Sequence, residues 1–147
     1  MKPKYDIIVV GGGHAGVEAA MIASKLGCRI GIISMDKKSI GRMSCNPAVG
    51  GVAKGQMVRE IDILGGLMGQ IADKSGLQFK VLNKSKGRSV WSPRAQVDKR
   101  RYEERVSKIV LSGEGVDFIK GEVVSLIIKN NSTSGVVLRS GESISSK

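Results

Sequence analysis

The sequence predicts an α/β fold in which helices cover a parallel sheet. Three observations lead to this prediction. A short β-branched run occupies residues 6–10, three glycines follow it in the spacing Gly11-x-Gly13-x-x-Gly16, and a helical pattern then leads to a second β-branched run at residues 29–33. Strand, glycine turn, helix and strand within about thirty residues form a βαβ unit, whose strands are parallel and whose crossover is right-handed. We therefore expect a Rossmann-like fold.

The first half of the chain predicts a buried strand, helices and an ordered loop. The run at residues 6–10 lies between polar residues and glycines, which is typical of a strand buried on both faces. Residues 17–26 are good helix formers and end at Gly27, the residue type that favours a helix C-terminus. Residues 40–51 lose all periodicity and predict an ordered loop. A helical pattern returns at residues 54–64 and continues weakly at 67–72 after two glycines.

The second half alternates strands with one long helix. Residues 77–81 alternate apolar and polar side chains, which predicts a half-exposed strand. Residues 94–111 predict a helix with Tyr102, Val106, Ile109 and Val110 on one face. Three further strands are expected, with a turn at residues 130–135 between the last two; they span residues 116–119, 123–128 and 136–138. No further helix or long apolar strand is expected after them.

Composition excludes several classes of protein. The chain has 147 residues, enough for one domain, and its 41% hydrophobic content excludes a disordered chain. No apolar run approaches the roughly 20 residues that a membrane-spanning helix needs, and no secretory signal is visible. Only two cysteines occur, so no disulfide framework is implied. We expect a cytoplasmic protein that does not associate with membranes.

The charge of the chain is strongly positive and unevenly distributed. Lys and Arg number 24 against 13 Asp and Glu, a net charge of +11. Ten basic residues and only three acidic ones lie between Lys80 and Lys108. Such a stretch favours a polyanionic partner, and nucleic acid is a better candidate than a membrane. A charged face that is only solvated has the same composition. Trp91 within this stretch either anchors the segment by apolar packing or stacks on a nucleic-acid base.

The glycine turn is the first candidate site. Gly11 permits the tight turn, Gly13 lets the backbone approach a pyrophosphate, and Gly16 lets the helix pack closely on the strand. A phosphate then lies at the helix N-terminus, where backbone N–H groups favour an anion. An acidic residue after the second strand usually holds the adenosine ribose, and here both Ser34 and Asp36 occupy that window.

Cys45 is the second candidate. It lies in a segment flanked by glycines, beside Pro47 and ahead of the expected helix at residues 54–64. An ordered loop before a helix N-terminus favours a reactive thiol, so Cys45 is a candidate nucleophile, although its residue type and position are also compatible with a purely structural role. Cys28 follows the first helix, where a small apolar residue is needed, and we expect it to contribute packing. No metal site is expected.

Several segments together resemble the N-terminus of the MnmG family, also called GidA. The most discriminating is Ser44-Cys45-Asn46-Pro47-Ala48-Val49-Gly50-Gly51; the others lie at residues 6–20, 54–55, 60–68, 82–87 and 94–96. Family members are FAD-dependent enzymes that act with the GTPase MnmE. Together they install a carboxymethylaminomethyl group on carbon 5 of the wobble uridine of certain tRNAs. The resemblance implies an FAD-binding fold of the glutathione-reductase type.

The resemblance also implies roles for individual residues. FAD would bind at the glycine turn, with the backbone of Val123 near the adenine, and Cys45 would be the catalytic cysteine near the flavin. NADH and methylenetetrahydrofolate would take part in the reaction, and a homodimer would join MnmE in a heterotetramer. The implied FAD-binding residues of the turn are Gly11, Gly12, Gly13, His14, Ala15 and Gly16. Arg88 and Ser89 depart from the family pattern, which often has Pro and Ala there.

Family members are several times longer than this chain. We therefore expect residues 1–147 to form the N-terminal part of an FAD-binding domain, incomplete at the C-terminus, with the NADH-binding and C-terminal helical domains absent. Two alternatives stay open. One is a folate- and FAD-dependent tRNA uridine methyltransferase, and the other is a truncated, non-catalytic module that binds FAD or RNA.

Overall fold

The computed structural model describes residues 4–147, which form two compact units. Unit 1 contains the residues up to Arg42 and Ser107–Lys147; unit 2 contains residues 43–106. The elements in chain order are β1 (Ile7–Val10), α1 (His14–Lys25), β2 (Ile30–Ser34), β3 (Ala48–Gly50), α2 (Lys54–Ile63), α3 (Met68–Ser75), β4 (Gly76–Leu82), β5 (Ser92–Val97), α4 (Lys99–Leu111), β6 (Val116–Lys120), β7 (Val123–Lys129), β8 (Ser132–Leu138) and β9 (Ser143–Ser145).

Unit 1 contains the expected βαβ motif. β1, β2 and β6 form a parallel sheet with β2 in the middle. α1 buries Val17, Ala20 and Ala23, which are small enough for the helix to lie close to the sheet. The prediction of a Rossmann-like α/β fold is therefore confirmed.

The prediction that β1 is buried on both faces is wrong. Ile7 is 39% exposed and Val10 is 57% exposed. β1 pairs only with β2 among the described residues, so it is an edge strand rather than a central one. β2 has strands on both sides, and it buries Ile30, Ile32 and Ile33 almost completely.

A second sheet of unit 1 is an antiparallel meander in the order β7-β8-β9. Its hairpin turn is shorter than the predicted turn at residues 130–135. Asn130 and Asn131 alone form it, both with positive φ angles of 48° and 61°, as a two-residue type I′ turn requires. The residues after them already belong to β8. β9 was not predicted, because three residues are too few to show alternation; its Ile144 packs with Tyr5 and Val136.

Unit 2 is an antiparallel sheet in the order β3-β5-β4 with α2 and α3 packed beside it. Gly55 of α2 is buried, and a Cβ atom there would lie 2.5 Å from the carbonyl oxygen of Pro93 and 2.8 Å from its Cδ. Only glycine therefore allows α2 to approach β5 this closely. A strand at residues 77–81 is confirmed. The prediction that this strand is half-exposed is wrong, because its apolar residues Leu77, Phe79 and Val81 are exposed as well.

The predicted helix at residues 94–111 is wrong in its first turn. Arg94 belongs to β5, and the helix begins only at Lys99. The side chain of Asp98 accepts a hydrogen bond from the backbone N–H of Arg101 at 3.0 Å, and this caps the helix. Tyr102, Val106 and Val110 are buried as predicted. None of the helices between residues 4 and 147 has the length and apolar character that crossing a membrane requires.

Candidate functional site

The carboxyl ends of the three parallel strands of unit 1 lie at one edge of the sheet. β1 leads there into Gly11, whose N–H donates to the carbonyl of Ile33 at 2.8 Å. β6 leads into Gly121, whose N–H donates to the carbonyl of Ser34 at 3.0 Å. Ligands of open parallel sheets bind outside this edge. The edge therefore brings together the glycine turn, the end of β2 and the start of β7.

Each of the three glycines of the turn is favoured at its position for a different physical reason. Gly11 has a φ angle of +102°, which disfavours residues with a Cβ atom. A Cβ atom on Gly16 would overlap the carbonyl oxygen of Gly11, so this glycine allows the close packing of α1 on β1. A Cβ atom on Gly13 would have no protein atom within 4 Å. Space beside Gly13 is thus open on the side where a ligand would approach.

The start of α1 is suited to an anion. Gly13 is its N-cap, in extended backbone, and no side chain caps the helix. No acidic residue occurs in the first turn, so nothing opposes the positive end of the helix dipole. Gly13 and Ala15 are exposed, while His14 is partly buried at the first position of the helix. These features match a phosphate site at a helix N-terminus.

Both ribose candidates lie just after β2. The hydroxyl of Ser34 is 2.6 Å from that of Ser39, and the carboxylate of Asp36 accepts a hydrogen bond from the N–H of Lys38 at 3.0 Å. Asp36 therefore caps the short 3₁₀ turn Lys37–Ser39. Sequence reasoning missed Ser39 as the partner of Ser34, although Asp36 is a residue type that favours turns. Ser34 and Asp36 stay alternatives for the ribose contact.

The 3₁₀ turn also leads into residues that hold the glycine turn in place. The N–H of Gly41 donates to the carbonyl of Gly12 at 2.8 Å. A Cβ atom on Gly12 would lie 2.5 Å from Cδ1 of the buried Ile40. Gly12 thus packs closely against Ile40, a role that the spacing of the other glycines does not reveal.

Val123 is the first residue of β7 and pairs with Leu138 of β8. Its side chain packs against the unit 1 core, so only its backbone is available at the sheet edge. The preceding Glu122 receives two hydrogen bonds of 2.7 Å from the guanidinium of Arg139. These bonds lower the pKa of the Glu122 carboxyl below its usual value. The ion pair fixes the backbone immediately before Val123.

Cys45 lies in unit 2, in an exposed loop. Its Sγ is 3.7 Å from the hydroxyl of Ser44. The loop is held on both sides, since the N–H of Met43 donates to the carboxylate of Glu103 at 2.7 Å and the carbonyl of Pro47 accepts from Val97 at 2.8 Å. β3 separates Cys45 from the start of α2, so the expected helix N-terminus does not follow directly. An exposed thiol on a fixed loop is accessible to a substrate.

The other predicted features have mixed outcomes. Cys28 is half-buried after α1, as a packing residue would be. Trp91 is 39% exposed, and its indole N–H donates to the carbonyl of Lys84 at 3.2 Å, which closes the loop of residues 84–91. The guanidinium of Arg88 lies 5.9 Å from the Trp91 ring. Between residues 4 and 147 no group of three or more His, Cys, Asp or Glu could hold a metal ion.

The basic residues of α4 divide between two faces. Arg100 forms an ion pair with Glu104 at 3.2 Å. Arg101, Arg105 and Lys108 are spaced by four and three residues, so they lie on one face of the helix. We call these three residues the α4 basic stripe.

Comparison with known proteins matches the chain to one family. The family model described as "Glucose inhibited division protein A" matches residues 6–147. The tRNA uridine 5-carboxymethylaminomethyl modification enzyme MnmG of Endomicrobium trichonymphae is 49% identical over 144 residues. These cover 98% of this chain and 24% of that protein. The enzyme of the same name from Aquifex aeolicus is 50% identical over 133 residues.

Solved structures agree with these sequence matches. The crystal structure of Aquifex aeolicus GidA superposes with a TM-score of 0.92 at 48% identity, over 97% of this chain and 24% of that one. The flavin-dependent brominase Bmp2 has a TM-score of 0.62 at 20% identity, covering 97% of this chain and 36% of that one, which shows a shared fold alone. The chain spans about a quarter of the length of the curated relatives it matches.

Proposed function

The chain belongs to the family described as glucose inhibited division protein A, and on this premise we propose that it binds FAD and carries the catalytic cysteine of a tRNA-modifying enzyme. The reaction adds a carboxymethylaminomethyl group to carbon 5 of the wobble uridine. The observation that carries the proposal is the family match over residues 6–147, which contain both the glycine turn and Cys45. Near 50% identity to curated modification enzymes favours this reaction over uridine methylation.

The glycine turn fits the pyrophosphate of FAD. The space beside Gly13 is open, the start of α1 has no side-chain cap, and the close approach at Gly16 leaves no room for a Cβ atom. We assign the binding of the pyrophosphate to the backbone of residues 11–16. The backbone of Val123 would contact the adenine, and Ser34 or Asp36 the ribose. FAD, when bound, supplies hydride transfer to the reaction.

Cys45 would act on the uracil ring itself. Its thiolate adds to carbon 6, forming a C–S bond, and the electron pair of the 5,6 double bond makes carbon 5 nucleophilic. Carbon 5 then bonds to the methylene carbon of methylenetetrahydrofolate. The bond between this carbon and the folate nitrogen breaks, its electron pair stays on that nitrogen, and the amine of glycine takes its place on the methylene carbon. Loss of the proton from carbon 5 and expulsion of the thiolate restore the ring, so the cysteine is regenerated. An exposed thiol on a loop fixed at Met43 and Pro47 is suited to this role.

Further components of the reaction are proposed from the family resemblance. NADH would supply reducing equivalents, methylenetetrahydrofolate the methylene group, and tRNA the substrate. The GTPase MnmE would be the protein partner, with a homodimer of this protein in a heterotetramer, and the cytoplasm would be the location.

Deletion of the gene that encodes this chain tests the proposed function. We expect the carboxymethylaminomethyl nucleoside to disappear from hydrolysed tRNA, measured by mass spectrometry, and to return when the gene is restored. The protein purified from its native gene should show flavin absorbance. Unchanged nucleoside levels in the deletion strain would refute the assigned reaction.

The α4 basic stripe should contribute to tRNA affinity. Each cation that contacts a phosphate releases counterions, so log affinity falls with log salt by roughly 0.7–0.9 per contact. Replacing Arg101 and Lys108 with alanine should weaken binding of many tRNAs alike and flatten this slope by about one to two units. The measurement is a tRNA titration at several salt concentrations.

The matched control replaces Arg100 and Glu104 with alanine, because these two residues form an ion pair and their removal leaves the helix charge unchanged. This variant should keep the wild-type slope. If the Arg101→Ala, Lys108→Ala variant also keeps the wild-type salt slope, the α4 basic stripe is a solvated surface that does not contact tRNA.

A further inference from the structure

The sheet of unit 2 has two different faces. On one face, a cavity of about 590 Å³ lies between the sheet and the helices α2 and α3, beside Val49, Phe79 and Ala95. These three residues lie opposite one another in the register of the strands, so they share that face. Residues at the alternate positions point to the other side of the sheet. We call that side the open sheet face, and its exposed polar residues are Gln78, Lys80, Arg94 and Gln96.

Two like charges face each other on the open sheet face. Lys80 of the edge strand β4 lies directly opposite Arg94 of the central strand β5. Like charges in this arrangement repel each other and destabilise a sheet. None of the ion pairs between residues 4 and 147 includes either residue. An anion bound beside both side chains would replace this repulsion with two attractive contacts.

The surroundings of this cation pair contain no acidic group of the sheet. β3, β4 and β5 have no Asp or Glu, and residues 74–97 contain six Lys and Arg without one acidic residue. On the β3 side, Gly50 lies opposite Arg94 and Ala48 lies opposite Gln96. Neither of these small residues has a side chain long enough to cover the guanidinium. The open sheet face is therefore accessible to an anionic ligand larger than a single ion.

A second row of polar side chains lies next to the cation pair. Gln78 is directly opposite Gln96, and each lies two residues along its strand from Lys80 or Arg94. Two residues of a strand span roughly 7 Å. The carboxamide of Gln donates hydrogen bonds to phosphate oxygens and to sugar hydroxyls. Cations in one row and neutral donors in the next match a chain of alternating phosphates and sugars.

The glutamine row lies at the end of the sheet that leads to Cys45. The carbonyl of Pro47 accepts a hydrogen bond from the N–H of Val97 at 2.8 Å, directly after Gln96. Cys45 comes two residues before Pro47, and two residues of extended chain span at most about 7 Å. An RNA strand that crosses the open sheet face from the cation pair to the glutamine row therefore arrives at the loop of Cys45.

We propose that the open sheet face binds the backbone of the tRNA strand that carries the target uridine. One phosphate lies between Lys80 and Arg94, and the adjoining sugar and phosphate contact Gln78 and Gln96. This inference rests on the proposed function, since it names the residues that position the RNA substrate of that reaction. A free nucleotide offers the same phosphate chemistry, and the experiment separates the two sources.

The first test replaces Lys80 and Arg94 with glutamine in the protein purified from its native gene. Binding of a short RNA hairpin with an unpaired loop is measured by fluorescence anisotropy at several salt concentrations. Affinity should fall by at least about 10-fold, because two charge-assisted contacts are lost. The salt slope of log affinity should flatten by roughly 0.7 unit, the value for one phosphate of a single strand.

Two control variants make this test specific. Exchanging the two cations, Lys80→Arg with Arg94→Lys, keeps both charges and should keep the wild-type slope. Lys74→Gln with Lys129→Gln removes two exposed cations from α3 and β7, so the net charge changes equally while the open sheet face stays intact. This variant should also keep the wild-type slope. A slope as flat as that of the Lys80→Gln, Arg94→Gln variant would mean that net charge alone determines the effect and would overturn the proposal.

The second test replaces Gln78 and Gln96 with alanine. Affinity for the hairpin should fall by about 3- to 10-fold, because neutral hydrogen bonds are lost. The salt slope should stay at its wild-type value, since no charge is removed. Lys80→Gln should raise the unfolding temperature of the protein without RNA, because it removes the repulsion from Arg94. A weaker RNA complex of a more stable protein cannot result from misfolding.

The remaining outcomes identify other occupants. UMP binding is measured by equilibrium dialysis, and binding of a poly-glutamate peptide by fluorescence anisotropy. If the Lys80→Gln, Arg94→Gln variant binds UMP more weakly and the hairpin as before, the face takes a free nucleotide and the RNA assignment is overturned. If only the poly-glutamate peptide is affected, an acidic protein segment is the better occupant. If no ligand is affected, the proposal fails.

These binding measurements are independent of the reaction. An unchanged hairpin slope together with loss of the nucleoside in the deletion strain would refute the open sheet face as an RNA site and leave the proposed function in place. A flattened slope together with wild-type nucleoside levels in that strain would refute the reaction while supporting the RNA site.

Discussion

Replacing Cys45 with serine is expected to abolish the modified wobble uridine. A hydroxyl is far less acidic than a thiol, so serine is a much poorer nucleophile at neutral pH. Removal of a catalytic nucleophile typically lowers the rate by at least about 1,000-fold. The variant is made at the native locus, and the nucleoside is measured in hydrolysed tRNA by mass spectrometry. Modified nucleoside at the wild-type level would exclude Cys45 as the catalytic residue.

The same variant should keep its fold and its ligands. Cys45 is exposed, and its only polar neighbour in the described structure is the hydroxyl of Ser44, so little packing is lost. FAD and tRNA binding should therefore be unchanged. Cys28→Ser is the matched control, since this cysteine is half-buried after α1. It should lower the unfolding temperature and leave the modification intact.

Replacing Gly13 with valine is expected to remove bound FAD while leaving the protein folded. The φ and ψ angles of Gly13 are −68° and −179°, which any residue adopts, and a Cβ atom there meets no protein atom within 4 Å. The new side chain would instead occupy the space of the pyrophosphate. We expect a loss of about 3 kcal/mol of binding free energy, or roughly 100-fold in affinity. The free energy of unfolding should change by no more than about 1 kcal/mol. Flavin absorbance after purification and a denaturant titration measure the two effects.

Two further variants make this test specific. Gly16→Ala places its Cβ atom against the carbonyl oxygen of Gly11, so it should lower the free energy of unfolding by more than about 2 kcal/mol and lose flavin as well. Ala19→Val changes an exposed residue of the same helix and should lose neither. Full flavin content in Gly13→Val would contradict the assigned pyrophosphate site.

Much of unit 1 was predictable because its signals are local. The β-branched runs, the glycine spacing and Gly27 at the end of α1 each act through neighbouring residues. The fixed handedness of a βαβ unit then determines how the two strands and the helix are arranged. The turn at Asn130 was also visible, although only the backbone shows that it ends at Asn131.

Arg94 shows where local signals fail. Residues 94–97 have no pattern that excludes a helix, yet they pair with β3 on one side and β4 on the other. Those partners lie far away along the chain, and their hydrogen bonds outweigh the weak helical propensity of four residues. The Asp98 cap was the one local signal that placed the true start of α4 at Lys99.

The amino-acid sequence by itself determined the Rossmann-like class, the glycine turn that suits a pyrophosphate, and Cys45 as the candidate nucleophile. The tertiary structure alone decided that β1 lies at an edge, that Gly12 packs on Ile40, and that a cavity forms beside Phe79. The reason is the range of the interactions. Turn geometry and helix propensity depend on adjacent residues, whereas strand neighbours, exposure and cavities depend on contacts between residues that are distant in the sequence.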